Sequence, residues 1–109
     1  MELNDYQRHA ESTAIYPHDT DDDGINYCIL GLIGEAGELA NKWKKYYRDG
    51  LDLDDVTPKL RAELGDVLWY VANLSAELGM DLSDVAEENI DKLKQRQEAG
   101  TLQGSGDIR

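Results

Sequence analysis

The sequence predicts an all-α protein, and three observations point to this fold class. Apolar residues recur at helical spacing along most of the 109 residues, no stretch alternates with a period of two, and glycine or proline interrupts the periodic segments. A chain of this length forms one domain with a modest core. We therefore predict a four-helix, bundle-like subunit over residues 1–99 and a glycine-rich tail or clasp over residues 100–109.

The first two predicted helices are bounded by capping residues and an acidic loop. Asn4 is placed to cap the first helix, which is expected to end before Tyr16. An acidic loop over residues 19–24 follows. The second helix is predicted from about Asn26 to Arg48, with a glycine two residues later as its left-handed stop.

Nearby residues also indicate where the last two predicted helices begin and end. Thr57, followed by a proline in the first turn, predicts the start of the third helix, and Gly79 predicts its end. A fourth helix is expected to be capped by Asp81 or Ser83 and to run to about Gln97.

Each of the two long helices carries an apolar stripe that is predicted to form the core. On the second helix the stripe consists of Ile25, Ile29, Leu32, Ile33, Ala36, Leu39, Ala40, Trp43 and Tyr47. On the third helix it consists of Leu60, Leu64, Val67, Leu68, Val71, Leu74 and Leu78. A second face of the third helix surrounds Trp69 with small residues, which fits packing against helix one or four and equally fits a subunit interface.

Charge and composition exclude several classes of function. The formal net charge of −12 repels phosphate backbones, and no basic patch replaces their counterions, so no nucleic-acid partner is expected. No apolar run approaches the roughly 20 residues of a membrane span, and the first residues lack the pattern of a secretory signal. The single cysteine, Cys28, cannot form an internal disulfide, which favours a cytoplasmic protein with a buried thiol.

Two pairs of acidic residues are the candidate metal site. Glu35 and Glu38 lie three residues apart on the second helix, and Glu63 and Asp66 repeat this spacing on the third. Each pair therefore shares one helix face, beside the apolar stripe, and its oxygens suit a hard cation. A single pair is typical of a solvated helix surface, but two pairs at the same angular position predict a magnesium site between packed helices.

Cationic and aromatic residues near these pairs are candidates for binding a phosphorylated ligand. Asn89, Lys92 and Arg96 lie on one strip of the fourth helix and suit phosphate oxygens, although such a strip alone is more often solvated. Tyr70 follows the acidic flank and is able to stack on a ring. Two lysines late in the second helix either reach phosphates or offset the helix dipole: Lys42 and Lys45.

Three segments together resemble the MazG-like, all-α nucleoside triphosphate pyrophosphohydrolases. They are Gly34-Glu35-Ala-Gly-Glu38-Leu-Ala, Glu63-Leu-Gly-Asp66-Val-Leu-Trp-Tyr70 and Asn89-Ile-Asp-Lys92-Leu-Lys-Gln-Arg96. The resemblance covers residues 35–96. Within this family, the chain is similar to the small single-domain members found in bacteria and phages. The resemblance implies an all-α subunit that assembles as a dimer or a dimer of dimers, with the site near a subunit boundary.

The resemblance also implies the chemistry of the site. Four carboxylates would bind Mg²⁺, for which Mn²⁺ can substitute, and form the catalytic centre: Glu35, Glu38, Glu63 and Asp66. The strip on the fourth helix would hold the nucleotide: Asn89, Lys92 and Arg96. The expected reaction is attack of water on the α-phosphorus of a nucleoside triphosphate, with the proton accepted by Glu35 or Glu38, which yields the monophosphate and pyrophosphate.

A non-catalytic helical module, such as an acidic regulatory subunit, is the alternative function. It would need only the apolar stripes and the face around Trp69, and it predicts no metal binding. A carboxylate-bridged di-iron bundle is strongly disfavoured, because such sites normally use Glu-x-x-His pairs and the chain has none. Neither the base nor the sugar preference follows from the residues.

Overall fold

The computed structural model describes residues 1–50, 52–101 and 103, and this part of the chain is all-α. Its four helices are α1 (Leu3–Ser12), α2 (Asp23–Asp49), α3 (Leu53–Glu77) and α4 (Leu82–Glu98). The predicted fold class and helix number are confirmed. Most of the predicted tail lies outside the described residues. No helix within the described ranges is long and apolar enough to cross a membrane.

Helix α3 begins five residues earlier than predicted. Asp52, not Thr57, is its cap, and the Asp52 carboxylate accepts a hydrogen bond of 3.0 Å from the backbone N–H of Asp54. The first turn carries Asp54 and Asp55, whose negative charges are favourable near the positive end of the helix dipole. Pro58 consequently lies inside the helix, where it removes one backbone hydrogen bond.

Side chains of α1 cap α4 instead of α1 itself. The side-chain oxygen of Asn4 accepts a 2.9 Å hydrogen bond from the Ser83 N–H, and that of Gln7 accepts one of 2.9 Å from the Leu82 N–H. The expectation that Asn4 caps α1 is therefore wrong, because Glu2 precedes that helix. The first backbone donors of α4 are satisfied by a distant helix, which a local capping pattern does not reveal.

The helix ends follow the glycine signals. Gly50, Gly79 and Gly100 have φ of 89°, 73° and 73°, a region that favours glycine. After α3 the Met80 N–H donates 2.8 Å to the Ser75 carbonyl, which is typical of a Schellman end. Helix α2 starts at Asp23, inside the predicted loop.

The buried core lies between α1, α3 and the start of α4. Ala10, Ala72 and Leu82 are buried together, with Tyr6 and Trp69 packed beside them. Trp69 and Ala72 on this face of α3 thus pack against α1, as one of the two predicted alternatives requires.

The predicted core stripes of α2 and α3 are largely exposed in the single chain. Helix α2 packs only against α3 among the described helices, and Ile33, Tyr47 and Leu64 remain 65%, 76% and 55% exposed. The prediction that these stripes form the core of the subunit is therefore wrong for these positions. The radius of gyration is 16.8 Å, whereas about 13 Å is typical of a compact chain of this length. Helix α2 therefore lies at the edge of the subunit, and no other described helix covers the face that points away from α3.

Candidate functional site

Packing of α2 against α3 brings three acidic side chains together. The helices are antiparallel, since the start of α2 meets the end of α3, as in the contact of Gly24 with Glu77. Glu35 of α2 and Glu63 and Asp66 of α3 each offer one carboxylate oxygen, and these oxygens all lie within 4.8 Å of one another. We name these three residues the acidic cluster.

Glu63 is the buried member of the acidic cluster. Its Oε1 forms an ion pair with the Nζ of Lys42, whereas its Oε2 is buried and receives no hydrogen bond from an N–H or hydroxyl group of the described residues. The hydrogen bond from Lys42 and one from Glu35 lower the pKa of Glu63, and Glu63 in turn raises the pKa of Lys42. A buried carboxylate oxygen that lacks a donor is costly unless a cation or donor reaches it.

The pKa of Glu35 is shifted in the opposite direction to that of Glu63. Its pKa is raised, first because it shares a hydrogen bond with Glu63, then because of burial, and further by the negative charges of Asp66, Glu63 and Glu38. Opposite pKa shifts in two adjacent acids are typical of a pair that shares one proton. A bound divalent cation would remove the repulsion that produces this arrangement.

Glu38 lies outside the acidic cluster, although its charge acts on Glu35. Its side chain is exposed and borders a shallow depression of about 290 Å³ with Gly37, Ala40, Asn41 and Lys44. The structure thus brings together three of the four predicted carboxylates. The fourth is one helical turn away.

An aromatic wall borders the acidic cluster. Trp69 and Tyr70 line a cavity of about 170 Å³ together with Glu35 and Asp66. Their rings meet edge to face, with centroids 5.0 Å apart. The position of Tyr70 depends on Gly31, because a Cβ atom there would lie 2.2 Å from Cε1 of the Tyr70 ring.

Other residues near the wall escaped the sequence analysis. Tyr16, in the connection between α1 and α2, stacks on Tyr27 at a centroid distance of 4.8 Å, and its hydroxyl donates a 2.7 Å hydrogen bond to Glu77. His18 contacts the same carboxylate oxygen at 2.9 Å. No spacing in the sequence could have found this group, because Glu77 is about 60 residues from Tyr16 and His18.

The cationic strip of α4 lies apart from α2. Asn89 is exposed, Lys92 is half-buried and Arg96 is buried, and α4 packs against α1 and α3. Within the described part of the chain, no Cα atoms of α4 and α2 come within 8 Å of each other. Lys45 is exposed on α2. The subunit therefore holds Lys42 and Tyr70 beside the acidic cluster, but it does not pack the α4 strip against Glu35.

Comparison with known proteins places the chain in a family. The profile of the MazG nucleotide pyrophosphohydrolase domain matches residues 25–101, a segment that contains every predicted site residue. The chain therefore belongs to this family, which confirms the resemblance of its motifs and supports a hydrolase that acts on nucleotides. The chain is 48% identical over 114 aligned residues to the Gene 37 protein of Mycobacterium phage L5, and the alignment covers 100% of both chains. No solved structure matches the chain.

Proposed function

We propose that this protein hydrolyses ribo- or deoxyribonucleoside triphosphates between the α- and β-phosphates, and that it releases the monophosphate and pyrophosphate. The acidic cluster carries the proposal, because its three carboxylates converge from two helices and one buried oxygen of Glu63 receives no hydrogen bond from an N–H or hydroxyl group of the described residues. Family membership supplies the reaction class.

The donor set fits the divalent cation that the family resemblance implies. Carboxylate oxygens are the ligands that Mg²⁺ prefers, and Mn²⁺ accepts the same set. Glu35, Glu63 and Asp66 would hold the ion, and the orphaned Oε2 of Glu63 would gain a partner. When bound, the metal would neutralise charge on the phosphates and lower the pKa of an attacking water.

The remaining side chains have separate proposed roles. Glu38 is exposed and outside the acidic cluster, so its carboxylate is available to accept the proton of the attacking water. The water oxygen bonds to the α-phosphorus, the anhydride bond to the β-phosphate breaks, and its electron pair leaves with pyrophosphate. Lys42 forms an ion pair with Glu63 beside the acidic cluster. When the nucleotide binds, the Lys42 ammonium group would contact its phosphates instead.

Nucleotide binding is proposed to use the aromatic wall and two groups of polar side chains. Tyr70 would stack on the base or sugar at the edge of the acidic cavity. The groups proposed to contact phosphates are Lys42 and Lys45 on α2 and Asn89, Lys92 and Arg96 on α4. The α4 group rests on the family motif, because α4 and α2 do not pack together in the subunit.

Self-association into a dimer or tetramer is proposed for the exposed apolar face of the α2–α3 pair. A groove of about 380 Å³ on this face is lined by apolar side chains, including Leu39, Trp43, Leu60 and Leu64. Contiguous exposed apolar side chains often mark an interaction site, and a second copy is the partner that the family resemblance implies. The proposed location is the cytoplasm, where the buried Cys28 thiol stays reduced.

Two measurements separate this function from a non-catalytic interaction module. Isothermal titration with Mg²⁺ should show binding that Asp66→Asn weakens. A panel of ribo- and deoxyribonucleoside triphosphates, assayed for pyrophosphate, should give turnover that Glu38→Gln and Asp66→Asn proteins lose while they stay folded. Absence of both metal binding and pyrophosphate release in the wild type would favour the interaction module.

A further inference from the structure

The connection between α1 and α2, residues 13–22, is tied to the end of α3 through one carboxylate. The Tyr16 hydroxyl and the His18 ring nitrogen approach Oε1 of Glu77 at 2.7 Å and 2.9 Å. Tyr16 is buried, with 7% of its surface exposed. These contacts lower the pKa of Glu77, first through the Tyr16 hydroxyl, so the carboxylate is charged and its hydrogen bonds are charge-assisted.

Gly24 makes room for this carboxylate at the start of α2. A Cβ atom at Gly24 would lie 2.4 Å from the Glu77 carboxyl carbon, so a larger residue here would displace the Glu77 carboxylate from its present position. Glu77 therefore joins three segments: the α1–α2 connection, the first turn of α2 and the last turn of α3. None of these residues contributes to the acidic cluster.

A chain of ring contacts leads from Tyr16 to the acidic cavity. The Tyr16 ring stacks on Tyr27 and meets Trp69 edge to face at 6.2 Å, with an interplanar angle of 87°. The Trp69 indole N–H also donates a 2.8 Å hydrogen bond to Oγ1 of Thr13 in the same connection. Trp69 then contacts Tyr70, and both rings line the cavity beside Glu35 and Asp66. If Tyr16 were displaced, Trp69 would lose its edge-to-face contact, and the aromatic wall would lose its support on that side.

We propose that Tyr16 and Glu77 are positioning residues for the nucleotide: their hydrogen bond fixes the α1–α2 connection, which holds Trp69 and Tyr70 in place as the wall of the acidic cavity. This inference rests on the proposed nucleotide hydrolysis. Neither residue touches the carboxylates of the acidic cluster, so their loss should impair nucleotide binding and leave metal binding intact.

The test is the Tyr16→Phe variant, which removes the hydroxyl and keeps the ring. For the triphosphate that the wild type turns over best, we expect KM to rise about five- to tenfold and kcat to stay within about twofold. Mg²⁺ affinity without nucleotide, from isothermal titration, should stay within about twofold of the wild type, since the acidic cluster is untouched. Tyr46→Phe is the matched control, because the Tyr46 hydroxyl also donates to a carboxylate, that of Asp55 at 3.2 Å, but is remote from the wall.

A second readout does not depend on turnover. In a Trp43→Phe background, fluorescence reports Trp69 alone, and Tyr16→Phe should increase acrylamide quenching of this residue. If Tyr16→Phe does not fold, Glu77→Gln takes its place, because it keeps an acceptor oxygen but loses the charge, and it should raise KM in the same direction by a smaller factor. Unchanged KM and unchanged quenching in a folded variant, while the wild type is active, would overturn the positioning role only. A wild type that releases no pyrophosphate would overturn the proposed function and this inference with it.

Discussion

Replacing Gly31 by alanine should displace Tyr70 from the acidic cavity. The added Cβ atom would lie 2.2, 2.4 and 2.7 Å from three carbons of the Tyr70 ring. Contacts closer than 3.4 Å are already tight for a Cβ atom, so the ring must retreat by about 1.2 Å. Since Tyr70 lines the cavity with Glu35 and Asp66, the movement changes the wall against which a nucleotide would bind.

Two opposing contributions set the magnitude of the stability change. Alanine in a helix interior is favoured over glycine by about 1 kcal/mol, whereas overpacking of a side chain costs about 1–3 kcal/mol. Gly34→Ala on the same helix isolates the first contribution, because nothing lies within 4 Å of its Cβ position. The two variants should therefore differ by about 2 kcal/mol, or roughly 8–16 °C in Tm for a domain of this size.

Thermal unfolding and steady-state kinetics test this reasoning together. Gly34→Ala is expected to melt above the wild type, and Gly31→Ala well below Gly34→Ala. A wall displaced by about 1 Å should also lower kcat/KM of Gly31→Ala by at least about tenfold. Equal Tm values for the two variants, or wild-type kcat/KM in Gly31→Ala, would show that the Tyr70 ring has free space elsewhere and that its position is unimportant for the site.

Three further perturbations follow from the charges and the exposed face. A raised pKa in the folded protein means that Glu35 favours folding below its ordinary value of 4.5 and loses this contribution as the pH rises through the raised value. Glu35→Gln should thus raise the Tm of the EDTA-treated protein by a few degrees at pH 7 but not at pH 4, and an equal or lower Tm at pH 7 would refute this. The lowered pKa of Glu77 has the opposite sign, so its contribution is present above pH 4.5 and is lost as the pH falls through the lowered value. Glu77→Gln should lower Tm by about 5 °C at pH 7, and its Tm should fall less steeply than that of the wild type as the pH is lowered. An equally steep fall of Tm in the variant would contradict the assignment. Leu64→Glu should fold, because Leu64 is 55% exposed, yet lose self-association in light scattering; an unchanged mass would exclude this face as the interface.

The sequence predicted most of the features that have a local signal. The helical periods, the glycine stops and the spacing within each acidic pair all depend on residues a few positions apart. Over the described residues the structure has four helices and places Glu63 and Asp66 on one face of α3. The start of α3 was missed because Asp52 provides a better cap than Thr57, at the cost of a proline inside the helix. Asn4 was misassigned because its hydrogen-bond partner is Ser83.

Contacts between distant segments account for the rest of what was missed. The wall beside the acidic cluster depends on rings from residues 16, 27, 69 and 70, and no periodic pattern connects the first two with the last two. The apolar stripes were assigned to a core because periodicity reports which residues share a face. It does not report whether the covering surface belongs to the same chain.

The location of the acidic cluster links metal binding to the stability of the subunit. The buried core ties α1 to α3 and α4, whereas α2 is held by α3 alone among the described helices. Without a cation, Glu35 opposes this contact through its repulsion by Glu63 and Asp66, and Lys42 offsets only part of that charge. A cation bound by carboxylates from both helices would join α2 to α3, and at one hundred times its Kd it would contribute about 2.7 kcal/mol. Ordering of the α2–α3 pair and occupation of the proposed metal site would then be one coupled process, so α2 should gain the most hydrogen-exchange protection when Mg²⁺ is added.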